Sequence, residues 1–180
     1  MGPARIFTIG HSTRALEDFI ALLKREGVTH LADVRAFPFS RRYPYFNGEA
    51  LAVSLAENGI TYTHFPALGG RRRTRRDSRN TAWRNPSFRG YADYMETDAF
   101  REALDGLVSS ASEAPTAIMC AEAVPWRCHR SMISDALVAR GIEVQHILDQ
   151  GLKPHTLTPF ARVVDGSVRY DDPTGLDLFA

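Results

Sequence analysis

The chain of 180 residues lacks the features that identify membrane, secreted or disulfide-rich proteins. It has no apolar run near the roughly 20 residues that a helix needs to cross a bilayer. Residues 1–5 lack the apolar stretch of a signal peptide. Two cysteines are too few for a disulfide framework in a chain of this length, which predicts free thiols. Together these absences predict a cytoplasmic protein that does not associate with a membrane.

Lysine is also scarce, since Lys24 and Lys153 are the only lysines among 22 basic residues. A GC-rich genome explains a general preference for arginine, but it does not explain why the arginines cluster. Residues 71–89, called here the arginine block, contain eight arginines and a single acidic residue, Asp77, although the net charge of the chain is only +1. We expect such a block to face phosphate or another polyanion. The alternative is a solvated, mobile loop.

Hydrophobic patterning predicts alternating strands and helices. Strands are expected at 5–9, 28–34, 60–65, 116–119 and 143–148, the first of them buried. The first is followed by a helix for which Thr13 is a candidate N-cap. Strands joined through helices run parallel. The pattern therefore predicts one Rossmann-like α/β domain over residues 1–180. It would have an open, mostly parallel sheet of about five strands, helices on both faces, and an irregular extension from 151 to 180.

Titratable or glycine-rich segments follow the predicted strands at their carboxyl ends, where open α/β sheets bind ligands. The segments are Gly10-His11-Ser12, Asp33-Val34-Arg35, Leu68-Gly69-Gly70 and Cys120-Ala121-Glu122. One such end would mean little, but four that converge in one crevice predict a ligand site.

Several of these side chains also have a purely structural interpretation. Ser12 could cap the first helix. Asp33 and Arg35 lie on the same side of a strand and could form an ion pair within the fold. His64 and His146 are more easily explained as strand residues with satisfied hydrogen bonds than as catalysts. These alternatives remain open at the level of sequence.

The segment from Cys120 to Arg130 is the most informative part of the sequence. Cys120 ends a strand, and Cys128, His129 and Arg130 are expected to open a helix at 128–140. A helix N-terminus binds anions and lowers the pKa of a thiol placed there. Arg127 and Arg130 would strengthen both effects. We therefore predict a reactive thiolate at Cys128 and a turn that can hold a phosphate or a carboxylate.

A strand, a cysteine, a loop, an arginine and a helix in this order are similar to the thiolate sites of tyrosine phosphatases and rhodaneses. Those enzymes place arginine six positions after the cysteine, whereas that position here is Trp126, one residue before Arg127. The likeness is therefore architectural only. No cofactor is required by the sequence. Zinc is one option, with the candidate ligands Cys120, Cys128, His129 and His11. Another is a structural role, with two buried cysteines and a helix-capping histidine.

Four blocks in this order resemble the signatures of a bacterial family known as a domain of unknown function, DUF488. They are Thr8-Ile9-Gly10-His11-Ser12, Asp33-Val34-Arg35, Leu68-Gly69-Gly70, and Met119-Cys120-Ala121-Glu122 with Cys128-His129-Arg130. The resemblance extends over residues 6–148, and the sequence departs from the pattern at none of the blocks. It implies an α/β fold and no established activity.

Two functions of different classes fit these residues. The first is an enzyme that acts on a phosphorylated, nucleotide or nucleic-acid substrate by hydrolysis or group transfer. Its catalytic candidates are Cys120 or Cys128 as nucleophile, Glu122 as acid and base, and His11 and His129 as proton partners. Its anion-binding candidates are Ser12, Asp33, Arg35, Arg41, Arg42, Gly69, Gly70, Arg127 and Arg130.

The second function is a module that binds single-stranded DNA or RNA. Residues 37–46 interleave aromatic rings with arginines, which suits base stacking together with phosphate contact, and the arginine block would add charge. A sensor that binds a small anion without catalysis fits the same crevice. The enzyme is favoured, because plain backbone binding does not need cysteine, glutamate and histidine at strand ends. The sequence leaves open whether the chain is a monomer or a dimer.

Overall fold

The computed structural model describes residues 4–172 and has a central parallel sheet. The parallel strands are β1 (Arg5–Gly10), β2 (His30–Asp33), β3 (Thr61–His64), β4 (Thr116–Cys120) and β5 (Glu143–Leu148). A short strand β6 (Gly151–Pro154) joins the edge antiparallel to β5. The order across the sheet is β3-β2-β4-β1-β5-β6. The predicted mostly parallel α/β architecture is confirmed, with one strand more than expected.

Helices cover both faces of this sheet. Helices α1 (Leu16–Arg25) and α2 (Gly48–Ala56) pack on one face, and their buried side chains share a core with residues of β1, β2 and β4. Helices α3 (Pro86–Met95), α4 (Asp98–Glu113) and α5 (Arg130–Ala139) cover the other face around a second core. The central strands β2 and β4, and all of β1 but its first residue, are therefore buried on both sides, whereas the edge strand β3 is only partly buried.

Helix starts follow the sequence signals in some places and not in others. Thr97 Oγ1 accepts a hydrogen bond from the backbone N–H of Phe100 and caps α4, a role for which threonine is favoured. The N-cap of α1 is Ala15, so the expectation for Thr13 is wrong, and Ser12 does not cap this helix either. The N-cap of α5 is His129, which leaves Cys128 just outside the helix instead of in its first turn.

The segment after Gly151 is more regular than predicted. Besides β6 it contains a hairpin of β7 (Arg162–Val164) and β8 (Ser167–Arg169). Asp165 and Gly166, both at positive φ, form its two-residue turn. Asp-Gly between two short segments that contain valine is a strong hairpin signal, so this element was readable from the sequence. The remainder of the predicted extension, 173–180, lies outside the described residues.

The strand order decides which strand ends meet. Because β4 lies between β2 and β1, Cys120 is flanked by the residues that follow those two strands. Backbone hydrogen bonds from His11 N to Cys120 O and from Ser12 N to Ala121 O extend this pairing beyond the sheet. Within residues 4–172, no helix is long and apolar enough to span a membrane.

Candidate functional site

A cavity of about 600 Å³ opens at the carboxyl ends of the central strands. Its lining includes eight residues that the sequence predicted as site residues: His11, Arg35, Gly70, Cys120, Glu122, Arg127, Cys128 and His129. The ends of β1, β2 and β4 and the loop after β3 thus converge, as expected. His146 on β5 does not line this cavity.

Two cysteine sulfurs lie side by side in the cavity wall. Cys120 Sγ and Cys128 Sγ are 2.7 Å apart, and both residues are free cysteines. Cys120 is the last residue of β4, and Cys128 directly precedes the N-cap of α5. The backbone N–H of Arg130 points at Cys128 Sγ from 3.2 Å. Residues 121–127, called here the cysteine turn, join the two.

The cysteine pair binds one proton much more tightly than the other. Burial by itself raises the pKa of Cys120, but the hydrogen bond from Cys128 and the charge of Arg130 outweigh burial, so the pKa lies below its ordinary value. Burial, the hydrogen bond to Cys120 and the negative charge on that sulfur raise the pKa of Cys128. The sequence favoured Cys128 as the thiolate, whereas these shifts favour Cys120, with Cys128 as its proton-bearing neighbour.

Arg130 is the largest side chain among those fully buried, with 1% of its surface exposed. Its Nη2 donates to the carbonyl oxygens of Glu122 and Ala123, at 3.2 and 3.4 Å. Its Nε and Nη1 are buried without a hydrogen-bond partner. Arg130 lies behind the cavity wall and not in its lining, and its charge favours the thiolate form of both cysteines.

His129 is oriented as a base beside Cys128. Its Nε2 donates to the carbonyl oxygen of Val34 at 2.8 Å, which leaves Nδ1 free to accept a proton. This Nδ1 is 3.9 Å from Cys128 Sγ. Burial lowers the pKa of His129, so the ring stays neutral near pH 7. A Cβ at Gly70 would approach Nδ1 to 3.1 Å, which explains a glycine there.

His11 lies on the opposite side of the cavity and is also neutral. Burial lowers its pKa more than the hydrogen bond to the carbonyl oxygen of Ser12 raises it. Because Nδ1 donates to Ser12 O at 3.0 Å, Nε2 is left to accept from Arg35 Nη1 at 3.5 Å. The ring stacks on Phe46 with centroids 4.4 Å apart. His11 can therefore accept a proton but is already partly engaged by Arg35.

Asp33 and Arg35 form a buried ion pair within the fold. Arg35 Nε and Nη2 donate to the two carboxylate oxygens of Asp33 at 2.9 and 2.7 Å, and Tyr62 donates its hydroxyl to the same carboxylate at 2.6 Å. Asp33 is completely buried and is not part of the cavity lining. Its role is to orient Arg35, whose Nη1 faces the site. Burial and the bond to Asp33 raise the pKa of Tyr62; sequence reasoning did not single out this residue.

Aromatic side chains and arginines form the rim. Phe37 and Phe39 line the cavity although 72% and 63% of their surfaces are exposed. Arg71 and Arg127, both exposed, line it as well. Asn85, Ser87, Phe88 and Tyr91 complete the wall and were not anticipated as site residues. In the sequence, the first three lie within the arginine block and Tyr91 follows it, which is the one signal that could have pointed to them.

Some predicted anion-binding residues lie away from the cavity. Arg41 and Arg42 are exposed on the loop before α2 and do not line it, and Arg42 rests over the ring of Tyr43. Ser12 sits in the turn after β1 at a positive φ of 45° and does not line the cavity. Gly69 is a packing residue, because a Cβ there would come within 2.6 Å of Ala36 Cα.

The arginine block is not one continuous anion-binding surface. Arg72 donates to the carbonyl oxygen of Gly69 and stacks over Tyr94, with its guanidinium carbon 3.7 Å from the ring centroid. Arg75 pairs with Glu96, and Arg89 donates to backbone oxygens of residues 81 and 83. These arginines anchor the segment to the fold. Among the arginines of the block, Arg71 lines the cavity.

The zinc alternative has no geometric support. Among the residues that the structure describes, no three His, Cys, Asp or Glu side chains are arranged to hold a metal ion. The two sulfurs contact each other instead.

His146 belongs to a buried hydrogen-bonded chain elsewhere in the fold. Its Nδ1 is 2.6 Å from Thr8 Oγ1, and its Nε2 is 2.9 Å from His155 Nδ1. His155 Nε2 in turn donates to Asp135 at 2.8 Å. Asp135 also accepts the hydroxyls of Thr158 and Tyr170. This chain fastens the C-terminal segment to the sheet and to α5, in line with the structural interpretation of His146.

The His146 chain predicts a loss of stability in mild acid. Burial, followed by the charges of His155, Arg130 and Lys153, lowers the pKa of His146 to about 3. In the unfolded chain the pKa returns to about 6.5, so only the unfolded state binds a proton between these values. The contribution of His146 to the free energy of unfolding is thus fully present above pH 6.5. It falls as the pH drops towards 3, by up to about 1.4 kcal/mol per pH unit from this residue.

Urea denaturation of the wild type and of a His146→Gln variant between pH 8 and 5 measures this effect. The variant starts less stable but loses stability more slowly as the pH falls, because one titrating group is gone. A difference between the two proteins that stays constant over this range would contradict the assignment.

Comparison with known proteins yields one match. The family model described as "Domain of unknown function DUF488" matches residues 15–137. That range contains Asp33, Arg35, Gly70, both cysteines and His129, whereas His11 precedes it. No curated protein and no solved structure matches the chain.

Proposed function

The chain belongs to the DUF488 family, and from this premise we propose that it is an enzyme whose nucleophile is the thiolate of Cys120. Its substrate class is an anionic molecule that carries a phosphate and an aromatic ring, as nucleotides and nucleic acids do. The proposal includes the cytoplasmic location expected from the sequence, where thiols stay reduced.

The observation that carries the proposal is the arrangement of Cys120, Cys128 and His129. A thiolate is the nucleophilic form of cysteine, and Cys120 combines a lowered pKa with a position in a cavity wall. Cys128, at 2.7 Å, supplies a proton-bearing partner, and His129 Nδ1 supplies a base for that proton. A nucleophile, a proton donor and an oriented base within contact of one another are the requirements of nucleophilic catalysis.

The proposed reaction has two steps. Cys120 Sγ attacks an electrophilic atom of the substrate and forms a bond to it, while the leaving group departs with a proton from the carboxyl of Glu122. Water then attacks the same atom, gives a proton to the Glu122 carboxylate, which restores its acid form, and releases Cys120 as a thiolate. Protons and electron pairs balance over the two steps, and no redox partner is needed.

The rim supports the substrate class. Arg35, Arg71 and Arg127 bring positive charge to a cavity whose wall also contains Cys120 and Glu122. Arginine suits phosphate because its planar fork binds two oxygens at once. Phe37 and Phe39 present exposed rings at the same rim, where an aromatic base can stack.

A second candidate is a module that binds single-stranded nucleic acid without catalysis. The observation that favours it is the exposure of Phe37 and Phe39, beside the exposed Arg41 and Arg42. Large exposed rings next to cations are typical of surfaces that stack bases. Such binding would weaken steeply with salt, because phosphate contacts release counterions. A small-anion sensor would use the charged residues alone.

Alkylation of Cys120 tests the enzyme proposal without a known substrate. Iodoacetate should modify Cys120 faster than neutral iodoacetamide does, since an arginine-lined cavity attracts the anion, and salt should reduce this preference. Inorganic phosphate, thymidine monophosphate and oligothymidylate are then added as protecting ligands. Turnover of p-nitrophenyl phosphate, nucleotides and oligonucleotides is compared between the wild type and Cys120→Ser.

Arg127→Gln and Arg41→Gln form a matched pair, because both arginines are exposed but only Arg127 lines the cavity. Only the first should reduce the preference for iodoacetate. Turnover that Cys120→Ser leaves unchanged would rule out the proposed nucleophile. Protection by oligothymidylate without any turnover supports the nucleic-acid module, and protection by phosphate alone supports the sensor.

A further inference from the structure

We propose that Cys120 and Cys128 form a redox pair that hydrogen peroxide converts to an intramolecular disulfide. The pair then has two states, a dithiol and a disulfide, and a small-molecule thiol returns it to the reduced form. This chemistry needs no substrate in the cavity, so it stands whether or not the proposed function is correct.

The two sulfurs lie close enough to bond after a small movement. A disulfide bond is about 2.05 Å long, and the two free sulfurs are 2.7 Å apart. Bond formation therefore requires a movement of less than an ångström. Cys128 precedes α5 and has an extended backbone, and the seven residues of the cysteine turn lie between the two sulfurs in sequence. The turn can take up this shift without disturbing β4.

The two thiols also differ in acidity. Cys120 has the lowered pKa and Cys128 the raised one, so one sulfur is suited to attack and the other to resolve. The buried guanidinium of Arg130, with two hydrogen-bond donor groups unpartnered, lies behind the pair and stabilises negative charge there. A redox-active cysteine next to a resolving cysteine is the usual arrangement of a thiol that reacts reversibly with peroxide.

The cavity admits small molecules to the two sulfurs but shields them from large ones. Both cysteines line the cavity of about 600 Å³, so a molecule as small as hydrogen peroxide can reach Cys120. Their exposed fractions are only 2% and 7%. Larger thiols and other protein molecules reach such sulfurs slowly, which favours closure within the chain over mixed disulfides.

The reaction balances in two steps. Cys120 as a thiolate attacks one peroxide oxygen, the O–O bond breaks, and the products are a sulfenic acid and hydroxide. Cys128 then loses its proton to His129 Nδ1 and attacks Cys120 Sγ, and the sulfenic oxygen leaves as water after taking up a proton. The thiols are oxidised by two electrons and the peroxide is reduced to two molecules of water.

A functional consequence rests on the proposed function. If Cys120 is the nucleophile, the disulfide removes it, and the enzyme is inactive until it is reduced. The charge of Arg130 would also lose its thiolate counterpart on closure, which favours the reduced form and makes the disulfide easier to reduce.

Mass spectrometry of the intact protein tests the inference. The protein is reduced, freed from reductant, treated with hydrogen peroxide and then alkylated. The wild type should lose two hydrogens and accept no alkyl label, dithiothreitol should restore both labels, and proteolytic mapping should find Cys120 linked to Cys128. Cys128→Ser should instead gain one oxygen and react with dimedone, and Cys120→Ser should oxidise at least about tenfold more slowly.

A wild type that keeps both thiols, or whose two cysteines oxidise at the rates seen in the single variants, would overturn the inference. The wild-type measurement does not depend on how well either variant folds. Since mass is read without any ligand, this experiment can succeed while the search for turnover fails, and the reverse. The two proposals are therefore separable.

Discussion

Replacing Asp33 with alanine is expected to lower the free energy of unfolding by about 3–5 kcal/mol, the cost of breaking a buried ion pair by removing one partner. Asp33 is fully buried and accepts two hydrogen bonds from the side chain of Arg35, one from its backbone N–H and one from Tyr62. Without this carboxylate, the guanidinium of Arg35 stays buried and loses its counterion. Urea denaturation near pH 7 measures the change.

The salt bridge between Arg140 and Asp105 provides the matched control. Asp105 is largely exposed, so Asp105→Ala should change stability by less than about 1 kcal/mol. In addition, the double variant Asp33→Ala/Arg35→Met should be less damaged than Asp33→Ala alone, because it leaves no unpaired charge. Equal losses of unfolding free energy for Asp33→Ala and Asp105→Ala would show that the buried ion pair contributes no more to stability than the exposed one.

Replacing Gly10 with alanine is expected to destabilise the fold by about 3 kcal/mol or more, at the upper end of the cost of overpacking. An added Cβ would lie 1.7 Å from the carbonyl oxygen of Glu122 and 3.0 Å from Ala123 Cα. Both are backbone atoms that cannot rotate away. The cysteine turn must therefore move, which should also slow the alkylation of Cys120. Thermal unfolding and the alkylation rate are the two measurements.

Gly106→Ala is the control for this substitution. Gly106 lies inside α4, and a Cβ there makes only an ordinary contact of 3.8 Å with the ring of Phe65. Alanine in a helix interior is about 0.5–1 kcal/mol more favourable than glycine, so this variant should be slightly more stable. If both alanine variants behave alike, the close approach at Gly10 does not exist in solution.

Local patterns in the sequence were sufficient to predict the α/β architecture. The apolar runs of the five parallel strands and the spacing of buried side chains in the helices reflect constraints that each element meets by itself. The carboxyl ends of parallel strands share one edge of the sheet, so His11, Arg35 and Cys120 could be placed together before any coordinates. The shared edge is a consequence of parallel topology and needs no knowledge of strand order.

The roles of these residues depended on contacts that sequence spacing does not encode. Arg130 was expected to bind a substrate anion, but the start of α5 turns it inward behind the cavity wall. Asp33 was a candidate ligand-binding residue, and only the position of Arg35 and Tyr62 shows that its oxygens are already used. A polar side chain at a strand end can face a ligand or a neighbour, and the neighbour's position comes from the whole fold.

The sequence alone therefore determined that this is a mostly parallel α/β protein with its candidate site residues at one edge of the sheet. Hydrophobic periodicity is a property of each local segment, and parallel topology follows from the order of strands and helices along the chain. Tertiary structure alone decided that Cys120 and Cys128 contact each other, that Cys120 is the more acidic of the two, and that His146 fastens the C-terminal segment. Distances between atoms and pKa values arise from packing across segments that are far apart in the chain.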